Sequence, residues 1–125
     1  MPITILIVDD EEIIRKLVHV ALKGVVDAIF LEASNAAEAL KVAREHGGPI
    51  DILISDIAMP GRMNGTEMAA QLCQTRPETR VFVMSGYPPE GIAMQPDWHF
   101  IQKPFKALEI RKEIETFVSE NCLAA

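Results

Sequence analysis

The stretch Ile3-Thr4-Ile5-Leu6-Ile7-Val8-Asp9-Asp10-Glu11 is an apolar run of strand length that stops abruptly on three acids. A run without polar alternation suits a strand covered on both faces, as in the middle of a parallel sheet. Three later runs end in the same manner. Residues 50–55 lead into Asp56, residues 80–84 into Ser85, and residues 99–102 into Lys103. The carboxyl ends of parallel strands share one edge of the sheet, and ligands bind in the crevice there. The pattern therefore predicts that Asp9, Asp10, Asp56, Ser85 and Lys103 converge on one spot.

The segments between these runs read as helices. Residues 11–23 place Ile13, Ile14, Leu17, Val18, Ala21 and Leu22 on one inward stripe, and Gly24 follows as a stop. Residues 28–32 form a second strand. Asn35 with Glu38, and Asn64 with Glu67, have the spacing of capping boxes at the starts of two further helices. The first of these stops at Gly47-Gly48. The second ends before Pro77 and buries Met68, Leu72 and Cys73. Residues 85–98 contain Gly86, Pro88, Pro89, Gly91 and Pro96, so any helix there is a short, irregular one around residues 90–95. A last helix over residues 105–120 turns Leu108, Ile110, Ile114, Phe117 and Val118 inward.

Strands alternating with helices imply an α/β fold, a single doubly wound five-stranded parallel sheet of (βα)5 type. With right-handed crossovers the order 2-1-3-4-5, flavodoxin-like, puts a switch point between the strands that end in Asp9-Asp10 and Asp56. Residues 1–125 then form one domain. At 125 residues, 49% hydrophobic and 24% charged, the chain can bury a full core. Its net charge of −6 disfavours direct nucleic-acid binding and anionic membranes. No apolar run approaches the ~20 residues of a membrane span. The start lacks a basic, secretory-type segment, so a cytoplasmic location is expected. Met1-Pro2 reads as a natural start, favouring a stand-alone protein. Cys73 and Cys122 have no metal-type spacing and read as a semi-buried thiol and a tail thiol. His19, His46 and His99 likewise read as structural or surface residues.

Carboxylates crowded together repel one another unless a cation sits among them. Hard oxygen donors with no thiolate or imidazole favour Mg²⁺. A carboxylate beside such an ion can also attack phosphorus and form an aspartyl-phosphate. Transfer of the phosphoryl group then needs positioning and charge neutralisation, which a lysine ammonium and a serine hydroxyl can supply. Taken singly, each residue has a plainer role. The acid run can cap a helix, Asp56 and Ser85 can be turn residues, and Lys103 can be a solvated loop lysine.

The chain resembles the receiver domains of two-component response regulators. The resemblance rests on Ile5-Leu6-Ile7-Val8-Asp9-Asp10-Glu11, Asp56-Ile57-Ala58-Met59-Pro60 with Gly65, Val83-Met84-Ser85-Gly86, and Lys103-Pro104-Phe105. It implies that Asp56 is the phosphoacceptor, fed by a histidine kinase or histidine phosphotransfer protein. It also implies that Asp9, Asp10, Asp56 and the carbonyl of Ala58 hold Mg²⁺, with Asp9 acting largely through water. Ser85 resembles the hydroxyl that closes on the phosphoryl oxygens, and Lys103 the lysine that pairs first with the carboxylate and then with the phosphate. Phe100 takes the place of the switch aromatic. The Lys103–Pro104 bond is a candidate for the cis form. An unknown downstream protein would read the switch, as a monomer or as a phosphorylation-dependent dimer, without direct contact to nucleic acid or membrane.

The connection over residues 85–100 is shorter and richer in proline than is usual in this family, which makes Met94 and Trp98 candidate recognition residues, with packing under the loop as the plainer and preferred role of both. Ala58 offers no side chain to hold a hydrolytic water, and Tyr87 stands near the mouth, so slow to moderate phosphate loss is expected. The Met84-Ser85-Gly86-Tyr87 string resembles receivers attached to hybrid kinases. Two other readings remain open on sequence. One is a phosphate-independent interaction module with this fold. The other is a Mg²⁺-dependent phosphatase with an aspartyl nucleophile, although the Asp-x-Asp element of such enzymes is absent, with Ala58 two places after Asp56.

Overall fold

The computed structural model describes residues 2–24, 27–87, 90, 92 and 94–121. In chain order the elements are β1 (Ile3–Val8), α1 (Glu12–Leu22), β2 (Ala28–Ala33), α2 (Ala36–Glu45), β3 (Ile52–Asp56), α3 (Gly65–Thr75), β4 (Arg80–Ser85), β5 (His99–Gln102) and α4 (Ala107–Glu120). The five strands make one parallel sheet in the order β2-β1-β3-β4-β5. β1 and β3 are buried along their whole lengths, which explains their unalternated apolar sequences.

Two cores lie on opposite faces of the sheet. On one face α1 and α4 pack Val18, Leu22, Ile110 and Ile114 onto Ile5, Ile7, Ile54 and Phe82. On the other, α2 and α3 pack Ala39, Met68 and Leu72 onto Leu6, Val8, Leu53 and Val83. Alternate residues of each strand thus feed alternate faces. The capping box at Asn64 and Glu67 forms as predicted. At α2 only half of the box forms. Asn35 accepts from the Glu38 amide, but the Glu38 carboxylate reaches one residue further back to the amide and hydroxyl of Ser34. Ser34 offers two donors there where the backbone of Asn35 offers one.

Two side chains lie elsewhere than the sequence suggests. Ile13 was expected on the inward stripe of α1 but is 74% exposed, and Val20 on the same side is 70% exposed. The buried arc is set by Val18, Ala21 and Leu22, and Ile13 falls outside it. Leu108 of α4 is 59% exposed, because that helix buries the line Ile110, Ile114 and Phe117. Trp98 and Met94 take the packed role rather than the recognition role: Trp98 is buried in the α2–α3 core, and Met94 packs against that core. The short helix around residues 90–95 involves Gly91 and Ala93, which lie outside the described residues, as do Pro88 and Pro89. Cys122 lies outside them as well, whereas Cys73 is a half-buried free thiol, pushed up by burial and by the charge of Asp97.

Candidate functional site

The sheet ladder continues one residue past the strand ends, and these extra bonds hold the site's backbone. The Asp9 amide donates to Ala33 O at 3.2 Å, the Ile57 amide to Met84 O at 3.2 Å, and the Lys103 amide to Ser85 O at 2.7 Å. Asp9, Asp56, Ser85 and Lys103 are therefore fixed by four adjacent strands. Gly65 closes the site from behind, its amide donating to Ile57 O at 2.8 Å as α3 begins.

The side chains of the acids converge. Asp9, Asp10 and Asp56 each offer a carboxylate oxygen, and these oxygens lie within 4.8 Å of one another. Asp9 is 0% exposed, Asp56 is buried and Asp10 faces solvent. One oxygen of Asp9 accepts from the Glu11 amide at 2.9 Å and the other from Lys103 Nζ at 2.8 Å. Lys103 Nζ also lies 3.3 Å from Asp56 Oδ1, which accepts in addition from the Ile57 amide at 2.9 Å. The Lys103–Pro104 bond is cis.

Burial raises the pKa of Asp56 above the ordinary carboxylate value and the charge of Asp9 adds to the rise, while Lys103 opposes it. For Lys103, burial pulls downward. The hydrogen bond to Asp9 and the charges of Asp56 and Asp9 outweigh that pull and hold the ammonium above the ordinary lysine range. Three carboxylates thus face one ammonium, and the excess negative charge suits a divalent ion with a preference for oxygen.

Ser85 is buried at the end of β4, and its Oγ accepts from the Tyr87 amide at 3.0 Å. Its hydroxyl proton is left to donate elsewhere. Tyr87 itself is exposed, as is Ala58, two residues beyond Asp56. Phe100 in β5 is half-buried against the α2–α3 core, in register with Val83. Two residues beside the site were not singled out from sequence. Arg15 donates to the Asp9 carbonyl at 2.6 Å. The Gln102 amide nitrogen donates to Gly86 O at 3.1 Å and to Lys103 O at 3.2 Å. A signal for Arg15 existed, namely a cation one turn into the helix that follows the acid pair.

The family model described as Response regulator receiver domain matches residues 5–115. The chain belongs to the response regulator receiver domain family. The receiver is 32% identical over 121 residues to the Sensor kinase CckA of Brucella abortus, covering 94% of this chain and 12% of that protein. It therefore spans a small fraction of that relative's length. A response regulator receiver domain protein from Clostridium thermocellum has a matching fold (TM-score 0.80, 24% identity, 97% of this chain and 98% of that one). Response regulator TrrA from Thermotoga maritima, solved in complex with Mg²⁺–BeF, matches with a TM-score of 0.74 and 26% identity, over 91% of this chain and 97% of that one. The receiver is thus a signalling domain of two-component systems. Among its described residues no helix is long and apolar enough to cross a membrane.

Proposed function

We propose that this receiver accepts a phosphoryl group on Asp56 from a histidine kinase or histidine phosphotransfer protein, in a reaction that requires Mg²⁺. The observation that supports it most is the juxtaposition of three carboxylates with Lys103, which sits 2.8 Å from Asp9 and 3.3 Å from Asp56. Asp9, Asp10, Asp56 and the carbonyl of Ala58 would hold the ion. When bound, Mg²⁺ supplies positive charge that offsets the crowding of the acids and attracts the phosphoryl oxygens. The complex of the Thermotoga relative with Mg²⁺–BeF agrees with that choice of metal.

An oxygen of Asp56 attacks phosphorus while the bond from phosphorus to the donor's imidazole nitrogen breaks, and the electron pair leaves with that nitrogen. Lys103, already within reach of Asp56, takes up the new negative charge on the phosphoryl oxygens. Ser85 donates its free hydroxyl proton to one of them. Its movement opens space that Phe100 turns into, and a downstream protein reads the altered surface. The domain acts as a phosphoacceptor, promoting only its own phosphorylation and dephosphorylation. The test is intact-mass analysis after incubation with acetyl phosphate or phosphoramidate. One phosphate adduct should form in wild type, need Mg²⁺, and be absent from Asp56→Asn. An unchanged adduct in Asp56→Asn would reject the assignment.

The exposed Ile13 and Val20 stand two turns apart on one side of α1, which starts directly after the acid run. Exposed apolar residues beside a reaction centre suit a protein donor better than a small one. We therefore place the donor's docking surface there. Ile13→Glu should slow phosphoryl transfer from a histidine phosphotransfer protein by about 10-fold, the equivalent of roughly 1.4 kcal/mol, and leave acetyl phosphate labelling unchanged. An equal fall with both donors would place the defect in the site instead.

A further inference from the structure

We propose that Arg15 is a positioning residue for the acids of the metal site, acting through the peptide that joins Asp9 to Asp10. The proposal rests on the Mg²⁺ reading above. Arg15 Nη1 donates to the Asp9 carbonyl at 2.6 Å, and Nε donates to Glu32 Oε1 of β2 at 3.1 Å. The guanidinium is well covered, with the side chain 16% exposed. Glu32 is held in turn from α1, with His19 Nδ1 3.6 Å from Oε2, and the His19 ring lies 4.2 Å from that of Phe30, centroid to centroid.

Among the described residues the carboxylates of Asp9 and Asp56 have hydrogen-bonding partners and that of Asp10 has none. Among the described residues, then, it is the backbone that aims Asp10. The carbonyl of Asp9 belongs to the same rigid peptide plane as the Asp10 nitrogen. Fixing that carbonyl fixes where the Asp10 side chain sets out. A guanidinium can do this because its planar fork donates in two directions at once, to a carbonyl and to a carboxylate. A lysine ammonium, a compact charge on a flexible stem, does not reproduce that span.

The charge of Arg15 and its geometry predict opposite outcomes, which makes the inference testable. As a charge alone, a cation near the acids weakens binding of a divalent ion, so removing it would tighten the site. As a clamp, its removal frees Asp10 and weakens the site, in the range of roughly 10–100-fold seen for groups that orient metal ligands. The experiment is Mn²⁺ binding followed by electron paramagnetic resonance, with Mg²⁺ as competitor, on wild type, Arg15→Lys, Arg15→Met, Glu32→Gln and Glu32→Ala. Binding should weaken about 10-fold in both Arg15 variants and in Glu32→Ala. Glu32→Gln should stay close to wild type, because its amide oxygen still accepts from Arg15. Glutamine and alanine remove the same charge, so equal losses at position 32 would overturn the proposal. So would Arg15→Met binding as tightly as wild type. If the Arg15 variants fail to fold by circular dichroism, the Glu32 pair decides. Absence of saturable binding in wild type would instead overturn the metal reading, and this inference with it.

Discussion

Gly65→Ala should be the most damaging single methyl that can be added to this protein. A Cβ at position 65 would lie 1.9 Å from the carbonyl oxygen of Asp56, 2.9 Å from its carbonyl carbon and 3.0 Å from the Cα of Ile57. All three are backbone atoms, so no change of rotamer relieves the overlap. The Gly65 amide is also bonded to Ile57 O at 2.8 Å, which ties the start of α3 to the end of β3. To admit the methyl, α3 must retreat, break that bond and carry the Asp56 segment with it. Overpacking of this kind costs about 3 kcal/mol or more, and the melting temperature should fall by roughly 10 °C. Mn²⁺ affinity should fall as well, because Asp56 moves. Gly47→Ala is the control: nothing lies within 4 Å of its added Cβ. It should change stability by less than about 0.5 kcal/mol. Urea unfolding of the two variants checks both statements, and a Gly65→Ala midpoint equal to that of wild type would contradict the geometry.

The same glycine shows what was legible in the chain. Its place among the family motifs could be read, but its reason could not, because the overlap involves a backbone carbonyl nine residues away that comes near only after folding. β1 and β3 were legible because each is a run of apolar residues closed by an acid, and the run itself reports burial on both faces. The convergence of the acids followed from the parallel topology, since all four strand ends must share an edge. Ile13 and Leu108 were misplaced because an apolar residue at the margin of a helical stripe looks the same in sequence whether it is covered or open. Trp98 lies in a proline-rich connection, where periodicity says nothing about which side chains fold inward. Arg15 was missed because its partner at Asp9 is a main-chain carbonyl, a group every residue carries.

Lys103→Met should destabilise the metal-free protein and increase its response to Mg²⁺. The ammonium of Lys103 lies within 3.3 Å of both Asp9 and Asp56 and is the cation that offsets them. Asp9 is fully buried, so removing Lys103 leaves its carboxylate without its charged partner. Breaking a buried pair from one side costs about 3–5 kcal/mol. Lys103 is 19% exposed along its side chain, so the lower end, about 3 kcal/mol, is expected. Mg²⁺ can replace the missing charge, and three acids without an internal ammonium should hold it more tightly. Saturating Mg²⁺ should therefore raise the melting temperature of Lys103→Met more than that of wild type. The pH dependence follows from Asp56, whose folded pKa lies above its ordinary value of 3.8 through burial first and the charge of Asp9 second. A raised pKa means that protonation favours the fold. That contribution is complete below the unfolded value and is lost as pH rises through the folded one. Without Lys103 the folded value climbs further, because the lysine is one of the groups that lower it. The gap in stability between wild type and Lys103→Met should thus be smallest at and below the ordinary carboxylate value of 3.8 and widen as pH rises through the folded value. The raised pKa of Lys103 itself works at the other end. Its contribution is complete below the ordinary lysine value of 10.5 and fades only as pH rises through the folded value. Melting curves at several pH values, with and without Mg²⁺, test this. A gap independent of pH across the acid range, or an equal Mg²⁺ response in the two proteins, would mean that Lys103 does not hold the acids together.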